Sequence, residues 1–314
     1  MLRRFVTLMA VSAVVVEAAT LHESLQKAMQ TVVDAKAEQY KCAISAAVRL
    51  HNGTEVAAVA GDKDYNKKIP ASVDDKFVWG SVTKTVTGSS IMRAAQDGLL
   101  KLTDSIVPHI DPLLKKMAAK DSSMNFSSLE EIFGPKVKDV TIDNLARMRS
   151  GIPDYDTATV KNPPTDSFRA LCYNNSGHDY TPQEILGVSW VAKGHLDFDP
   201  NTKYSYSSTN FVLLGLVLAQ LYNETWETFD QGYIIPHQDQ NHTVFALTGS
   251  PHSYTPVHGY DRTNYNGNDP NKLPGIDIST VDCVYAGWTA SDYTATVQDA
   301  ANWIYDVYGS LLFT

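Results

Sequence analysis

The sequence predicts an α+β protein of two lobes, in which an antiparallel sheet flanked by helices meets a mostly helical lobe. Three observations predict this class. Two strand-like segments surround an Asn-Gly pair near the N-terminus, residues 81–222 carry several helical patterns, and a last helical pattern covers residues 296–307. Because strands precede helices and the chain is expected to return to the sheet, we expect the functional site between the two lobes.

The N-terminal elements follow from periodicity and turn chemistry. Apolar residues at helical spacing predict a helix over residues 21–40. Residues 43–50 and 55–60 are predicted to be two strands, because the Asn-Gly pair at 52–53 is a strong hairpin signal.

Later helices are predicted from their start signals, stop signals and apolar patterns. They cover residues 81–97, 143–149, 210–222 and 296–307, and one more begins at Thr181. Gly98 is placed to end the first of them. The segment T-P-Q-E from Thr181 combines a capping threonine, a first-turn proline and a capping-box glutamate. Residues 210–222 are apolar on almost every side, which predicts a buried helix. The polar residues 236–281 predict a long loop.

The first 18 residues have the pattern of a secretory signal peptide. Arg3 and Arg4 precede an apolar core over residues 5–16, and a cleavage pattern of small residues ends at Ala18. This core is too short for a comfortable membrane span, and no later segment is apolar enough for one. The alternative is a buried N-terminal helix. The signal predicts a secreted, extracellular protein.

Five N-x-S/T sequons support secretion, although each one alone is a weak signal. They begin at Asn52, Asn125, Asn174, Asn223 and Asn241. Five sequons in one chain are typical of a secreted eukaryotic glycoprotein.

Composition excludes several partners and cofactors. The net charge of −9, without a basic run, argues against nucleic acid and anionic membranes. The histidines show no metal-ligand spacing, so neither a metal nor another cofactor is predicted. Cys42, Cys172 and Cys283 allow one disulfide with one thiol left over, and buried thiols explain them at least as well. The oligomeric state is left open.

A serine three residues before a lysine is the most informative motif. Ser81 and Lys84 would lie one turn apart on one helix face. A neutral Lys84 can take the serine proton, and a cationic one can stabilise the alkoxide. Ser81 follows a short apolar run and a glycine and opens its helix, where first-turn N–H groups favour negative charge. Ser24 and Lys27 repeat the spacing inside an amphipathic helix pattern, which predicts that they are inert. A purely capping role for Ser81 is the alternative.

Four segments in order resemble the serine β-lactamase and penicillin-binding-protein superfamily, and most of all its class C β-lactamase and esterase branch. Residues 77–88, F-V-W-G-S-V-T-K-T-V-T-G, resemble the nucleophile segment of that branch. Residues 140–155 resemble its "I-T-I-x-x-L-L-x-H-x-S-G-L-P" segment, and residues 199–215 resemble "x-P-G-x-x-F-x-Y-S-N-x-x-Y-x-L-L-G". The hairpin over 42–61 resembles the one that precedes the nucleophile. The resemblance covers roughly residues 40–220 and implies a β-lactamase/transpeptidase-like fold.

The resemblance also implies roles for individual residues. Ser81 would be the nucleophile, Lys84 its activating partner, and Tyr206 the group that shuttles a proton to the leaving group across the cleft. The alternative for Tyr206 is an ordinary core aromatic residue. Ser208 stands where the family has an asparagine that contacts the lysine and a substrate amide, so amide recognition should be weaker. The nearby Asn210 is expected to point away from the site.

Other departures from the family pattern are expected to matter less. Met148 and Arg149 replace a histidine and a small polar residue in a mainly structural segment. Asn201 replaces a glycine, and asparagine tolerates the left-handed conformation that such a position requires.

A third family motif, K-T-G or H-x-G on a strand beside the nucleophile, is not recognisable after Tyr206. The nearest string starts at His258, in the polar loop and without a predicted strand. The C-terminal strands of the fold are therefore predicted to be missing, which leaves little sheet beyond a marginal hairpin. The chain would be poorly stable, weakly active or completed by another segment, and a truncated gene record is the alternative. The predicted division is 1–18 signal peptide, 19–75 first part of the sheet lobe, 76–249 helical lobe, and 250–314 loop-rich segment and helix.

Together these patterns predict a secreted serine hydrolase with an acyl-enzyme at Ser81. Its substrates would be small esters or amides, with β-lactam-like rings and D-amino-acid peptides among them. The alternative is a non-catalytic or impaired secreted binding protein of the same fold.

Overall fold

A computed structural model describes residues 2–156, 168–233, 243–246, 256–262, 275–309 and 312. Asn241 and most of the loop predicted over 236–281 lie outside these residues. The helices are α1 (Leu2–Tyr40), α2 (Thr83–Gln96), α3 (Val107–Lys120), α4 (Leu129–Phe133), α5 (Ile142–Ala146), α6 (Phe168–Asn174), α7 (Pro182–Gly187), α8 (Thr209–Leu221) and α9 (Val297–Tyr308). The strands are β1 (Ile44–Arg49), β2 (Glu55–Ala60), β3 (Asp62–Asp64), β4 (Ile69–Pro70), β5 (Phe77–Val78), β6 (Val244–Phe245), β7 (Tyr260–Asp261), β8 (Ile276–Asp277) and β9 (Tyr293–Ala295). This mixture confirms the predicted α+β class.

The predicted N-terminal hairpin is present. Strands β1 and β2 pair antiparallel from Ile44 opposite Ala60 to Arg49 opposite Glu55. Gly53 has a φ of +82°, a conformation that glycine adopts without the clash a side chain would cause. The Asn-Gly pair therefore sets the turn, as its chemistry predicts.

Two helices pack against this hairpin, which would be marginal alone. From α1, the side-chain amides of Gln26 and Gln30 donate to the carbonyl oxygens of Ala57 and Val59 in β2, each at 2.9 Å. From α9, Asn302 accepts a hydrogen bond from Arg49 at 2.9 Å at the end of β1. The first and last helices thus support the same two strands.

Helix α8 is the centre of the helical lobe. Its residues from Phe211 to Ala219 are all buried, because the sequence is apolar on every side there. It packs against α2, α3 and α5. Its bounds differ by one residue at each end from the predicted 210–222. This buried helix fixes the positions of the segments that carry the site.

Shorter helices begin at capping boxes. Thr181 accepts a hydrogen bond from the N–H of Glu184, whose side chain reaches back to the N–H of Thr181, as predicted. Thr141 starts α5 with the same motif. Helix α5 ends at Ala146, earlier than the predicted residue 149, because Met148 adopts a φ of +56°.

A second, small sheet lies beside the start of α2. Its order is β5–β9–β6, with Val78 opposite Thr294 and Val244 opposite Thr294 on the other side. Each strand has two or three residues, too few for an alternating pattern to predict them. This sheet joins the segment before the nucleophile motif to the region just before α9.

Two sequence predictions need correction. The string at His258 is not free of strand structure, because β7 begins two residues later and pairs antiparallel with β8. Cys172 and Cys283 are not two buried thiols, because they form a disulfide across 111 residues, while Cys42 is a half-buried free thiol. Among the residues that the structure describes, no helix combines the length and the apolar character that a membrane crossing requires.

Candidate active site

Ser81 lies in the short 3₁₀ turn Gly80–Val82 that leads directly into α2. Gly80 has a φ of +53°, and Trp79 before it donates its N–H to the carbonyl of Tyr293 in β9 at 2.8 Å. The side chain of Ser81 is exposed. The small sheet therefore presents an accessible hydroxyl at a helix start, where the helix dipole favours negative charge.

Lys84 lies one turn further on and is buried, with 8% of its surface exposed. Its Nζ donates to Ser81 Oγ at 3.1 Å and to the carbonyl oxygen of Ala290 at 2.9 Å. A buried cation is tolerated only when it is paired or hydrogen-bonded. Both bonds aim the amine at the serine oxygen.

The carbonyl of Ala290 is a functional group that sequence reasoning missed. Thr87 of α2 donates to the carbonyl of Thr289 at 2.6 Å, and the hydroxyl of Thr289 donates to the carbonyl of Phe211 in α8 at 2.8 Å. These bonds fix the segment before β9 against both helices. A backbone acceptor has no residue type of its own, so no sequence signal could have identified it.

Tyr206 completes the group. Its hydroxyl lies 2.7 Å from Ser81 Oγ, and Lys84 Nζ lies 5.2 Å from the centre of its ring. The Tyr206 side chain remains 40% exposed, so a substrate can reach it. The structure thus brings together all three residues that the sequence singled out as catalytic. Their oxygens and nitrogen are arranged for proton transfer to and from the serine.

The residues on both sides of Tyr206 are hydrogen-bonded to residues 148–153, which follow α5. Ser205 N–H donates to the carbonyl of Met148 at 3.0 Å, and Ser207 Oγ donates to the carbonyl of Pro153 at 3.3 Å. Met148, which replaces a histidine of the family pattern, accepts at its sulfur from Ser207 N–H. Met148 therefore has a structural role in this segment.

Ser208 and Asn210 lie where the sequence places them at the start of α8. Ser208 is buried and lines the cavity beside Lys84. Asn210 faces the other way, because its Oδ1 accepts from Ser150 Oγ at 2.7 Å. Asn201 has a φ of +66°, the left-handed conformation expected for it. The asparagine of the family pattern has no equivalent at position 208.

The cavity beside Ser81 and Lys84 has a volume of about 250 Å³. Its apolar lining comes from Val78, Phe168, Ile278 and Val281, together with the disulfide Cys172–Cys283. Sequence reasoning missed this wall, since the pairing of three cysteines cannot be deduced from their spacing. Such a volume suits a small acyl group.

Two buried acidic groups adjoin the cavity: Tyr155 lines it, and Asp292 directly follows the lining residue Ser291. Asp292 is 1% exposed, and burial raises the pKa of its carboxyl well above the usual value. Ser291 donates to one of its oxygens at 2.6 Å, and the other oxygen has no hydrogen-bond partner among the described residues. Burial likewise raises the pKa of Tyr155. Tyr155 and Ser291 both line the cavity.

His258, from the nearest string to a third motif, does not line this cavity. Its Nδ1 lies 2.8 Å from Asp277, and its Nε2 lies 4.0 Å from Asp64. Ser24 and Lys27 are both exposed on α1. Ser81 and Lys84 line one cavity together, whereas Lys27 lines a polar surface pocket on α1 that Ser24 does not share.

The model of the family described as Beta-lactamase matches residues 29–312. The chain belongs to the beta-lactamase family. This match extends well beyond the segments that carry the motifs, and it includes the region up to the end of α9.

Solved structures show the same fold at low identity. The D-amino acid amidase from Ochrobactrum anthropi SV3, complexed with D-phenylalanine, matches with a TM-score of 0.65 and 20% identity over 92% of this chain and 72% of that chain. A D-stereospecific amidohydrolase from Streptomyces sp. matches with a TM-score of 0.63 and 20% identity, covering 92% and 74%.

Curated relatives are more similar in sequence over a shorter stretch. Protein flp of Staphylococcus aureus (strain MW2) is 27% identical over 201 residues, which are 64% of this chain and 34% of that protein. The chain therefore spans about a third of the length of that relative.

Proposed function

We propose that this protein is a serine hydrolase that forms an acyl-enzyme at Ser81. The observation that carries the proposal is the contact of Ser81 Oγ with both Tyr206 OH at 2.7 Å and Lys84 Nζ at 3.1 Å. An exposed hydroxyl with two positioned proton-transfer groups is the arrangement of an activated nucleophile. Family membership supports the same chemistry.

In this proposal, Tyr206 is a proton relay. Ser81 Oγ attacks the substrate carbonyl carbon and gives its proton to the oxygen of Tyr206 as Tyr206 gives its own hydroxyl proton toward the leaving group, so the phenol is neutral before and after the step. The Lys84 ammonium stabilises negative charge on either oxygen. The bond to the leaving group then breaks, and the leaving group takes the proton from Tyr206. In the second half-reaction, water attacks the acyl carbon and gives a proton to the oxygen of Tyr206, which passes its own proton to Ser81 Oγ. The bond between Ser81 Oγ and the acyl carbon breaks, and the acid product leaves.

The N–H of Ser81, at the start of the helix, supplies one donor for the oxyanion. Loss of one oxyanion donor costs on the order of 10²–10³ in rate, so the geometry of this turn is important for the proposed chemistry.

Small esters are the proposed best substrates, ahead of β-lactams. The cavity is small, and Ser208 offers fewer hydrogen bonds to an amide than the family asparagine. An activated ester needs less help for its leaving group. The likeness to amidases that act on D-amino-acid compounds supports small acyl groups of that kind as well.

The test is turnover of p-nitrophenyl acetate and of the cephalosporin nitrocefin, with Ser81→Ala as the control. We expect Ser81-dependent turnover and a higher kcat/KM for the ester. Ser208→Asn should raise lactam turnover relative to ester turnover. If neither compound is turned over in a Ser81-dependent way, the chain is the non-catalytic binding protein instead.

We further propose that the protein is secreted and glycosylated. The four sequon asparagines among the described residues, Asn52, Asn125, Asn174 and Asn223, are all exposed. A structural disulfide suits an oxidising compartment. Expression in a secreting eukaryotic cell tests this. We expect the protein in the medium, with a mass that falls on treatment with an N-glycosidase; retention inside the cell without glycan would contradict it.

A further inference from the structure

A second cavity adjoins the cavity of Ser81 and has no role in the proposed mechanism. Its volume is about 520 Å³, against about 250 Å³ for the Ser81 cavity. Val78 and Ile278 line both cavities, so these two side chains form the partition between them. A ligand long enough to cross this partition would occupy both cavities.

The partition is accessible from outside the protein. Val78 lies in β5, three residues before Ser81, and its side chain is 38% exposed. Ile278 is half-buried. Because neither side chain is sealed inside the core, a flexible chain that starts at Ser81 can pass over them into the second cavity without any rearrangement of the core.

The lining of the second cavity is mostly apolar. Apart from the partition, its aliphatic and aromatic surface comes from Tyr40, Ala43, Phe77, Pro256, Val257 and Tyr260. Among the described residues that line it, none carries a carboxylate. A cavity of this size with an apolar wall binds a ligand mainly by removing its CH₂ groups from water.

Backbone hydrogen bonds hold the wall of the second cavity in place. The N–H of Val257 donates to the carbonyl of Lys76, just before β5, at 2.7 Å. The N–H of Ile278 donates to the carbonyl of Gly259 at 2.9 Å. The wall is therefore formed before a ligand arrives, which lowers the entropy cost of binding.

The position of Tyr206 decides which end of a substrate lies towards the second cavity. In the proposed mechanism Tyr206 gives a proton to the leaving group, and it lines neither cavity. The leaving group therefore departs on the exposed side of Ser81 that faces Tyr206, and the acyl group lies in the Ser81 cavity. A longer acyl chain continues from there over Val78 and Ile278.

We propose that the second cavity is a distal acyl site, which binds the end of a linear hydrocarbon chain. The inference rests on the proposed function, and it narrows the substrate class to esters of medium-chain fatty acids. The first carbons would lie in the Ser81 cavity, with the carbonyl carbon at Ser81 Oγ, and the remaining CH₂ groups would lie beyond the partition. Each buried CH₂ group raises affinity by about 3- to 4-fold.

Esters of two chain lengths test this. The wild-type protein is expected to hydrolyse p-nitrophenyl octanoate with a kcat/KM about 10-fold or more above that for p-nitrophenyl acetate, both below the concentration at which the octanoate aggregates. Ala43→Trp places an indole in the second cavity and should abolish this preference. Ala119→Trp, on the exposed face of α3, is the matched control and should keep it. The preference is a ratio of two rates, so a smaller folded fraction does not change it.

The free thiol of Cys42 gives a measurement that does not depend on turnover. Cys42 lines the second cavity and not the Ser81 cavity, and the other two cysteines form the disulfide. Burial raises the pKa of its thiol, so labelling with N-ethylmaleimide is followed at about pH 8.5 by mass spectrometry. In Ser81→Ala, methyl octanoate at about ten times its dissociation constant should slow the labelling of Cys42 by about 10-fold. Methyl acetate should not slow it.

The outcomes separate this inference from the proposed function. Ser81-dependent hydrolysis of both esters without a preference for the octanoate would overturn the distal acyl site and leave the hydrolase proposal standing. A preference that survives in Ala43→Trp, or labelling that methyl octanoate does not slow, would do the same. Protection of Cys42 without turnover of either ester would support the chain-binding cavity and contradict the proposed function.

Discussion

Two segments of this chain carry a serine three residues before a lysine, and their surroundings differ. Ser24 and Lys27 lie in the middle of α1 with both side chains exposed to solvent. Ser81 stands at a helix start, and Lys84 is buried with two hydrogen-bond acceptors. The spacing is identical, so the chemistry must come from the surroundings.

The comparison shows what a short motif needs. A lysine in water keeps its amine hydrated and mobile, so it does not hold a serine in one geometry. Lys84 instead lies between Ser81 Oγ and the carbonyl of Ala290, with the ring of Tyr206 beside it. Helix entry, burial and a fixed acceptor together distinguish the candidate nucleophile from an ordinary surface serine.

The strongest test of this comparison is to replace each of the two serines in turn. Ser81→Ala should reduce ester turnover by a factor on the order of 10⁶, the scale on which acyl-enzyme hydrolases depend on their nucleophile. Ser24→Ala should leave turnover unchanged, since its side chain is solvent-exposed. Steady-state kinetics with p-nitrophenyl acetate measures both, and equal activity of the two variants would show that the surroundings have been misread.

Removal of the partners should have the next largest effect. Lys84→Ala and Tyr206→Phe should each lower kcat by about 10²–10⁴-fold, because positioned proton-transfer groups contribute that much. Lys27→Ala is the matched control and should have no effect. Near-full turnover in both Lys84→Ala and Tyr206→Phe would refute the proton-transfer scheme.

The disulfide Cys172–Cys283 forms part of the wall of the Ser81 cavity. Cys172→Ser with Cys283→Ser should lower the free energy of unfolding by about 2–4 kcal/mol, because the bond closes a long loop. Cys42→Ser should change it by less than about 1 kcal/mol. Urea denaturation measures both variants. A double variant as stable as the wild type would show that the disulfide does not stabilise the folded protein.

The pH dependence of stability tests the comparison at Asp292, because this carboxyl belongs to the buried surroundings of Lys84. Its raised pKa means that the folded protein keeps the proton over a pH range in which the unfolded chain has lost it. The contribution of Asp292 to the free energy of unfolding therefore falls as the pH rises above the pKa that its carboxyl has in the unfolded chain. Asp292→Asn should be more stable than the wild type at pH 8 by about 1–3 kcal/mol, with little difference at pH 4.

Thermal unfolding at a series of pH values checks this sign. A variant that is less stable than the wild type at pH 8 would mean that Asp292 is ionised and paired in the folded protein. Asparagine is the appropriate replacement because its side chain has nearly the same size as that of aspartate. The substitution therefore removes the ionisable group and changes little else.

The sequence predicted those parts of the fold that depend on local chemistry. The Asn-Gly turn, the capping box at Thr181 and the apolar run of α8 each carry their cause in a few adjacent residues. Ser81, Lys84 and Tyr206 were singled out because a motif and a family resemblance marked them, and the structure places them in contact. These predictions needed no knowledge of distant contacts.

The missed features depend on residues far apart in the chain. The carbonyl of Ala290 reaches Lys84 across 206 positions, and Cys172 pairs with Cys283 across 111. Strand β9 has three residues, and its existence depends on β5 and β6 on either side.

Covalent labelling tests the central claim most directly. The intact protein is treated with a fluorophosphonate, digested and analysed by mass spectrometry, so that the modified residue is identified. The account predicts one adduct, on the peptide that contains Ser81, and its loss in Ser81→Ala. An adduct on the peptide that contains Ser24, or labelling that persists in Ser81→Ala, would contradict it.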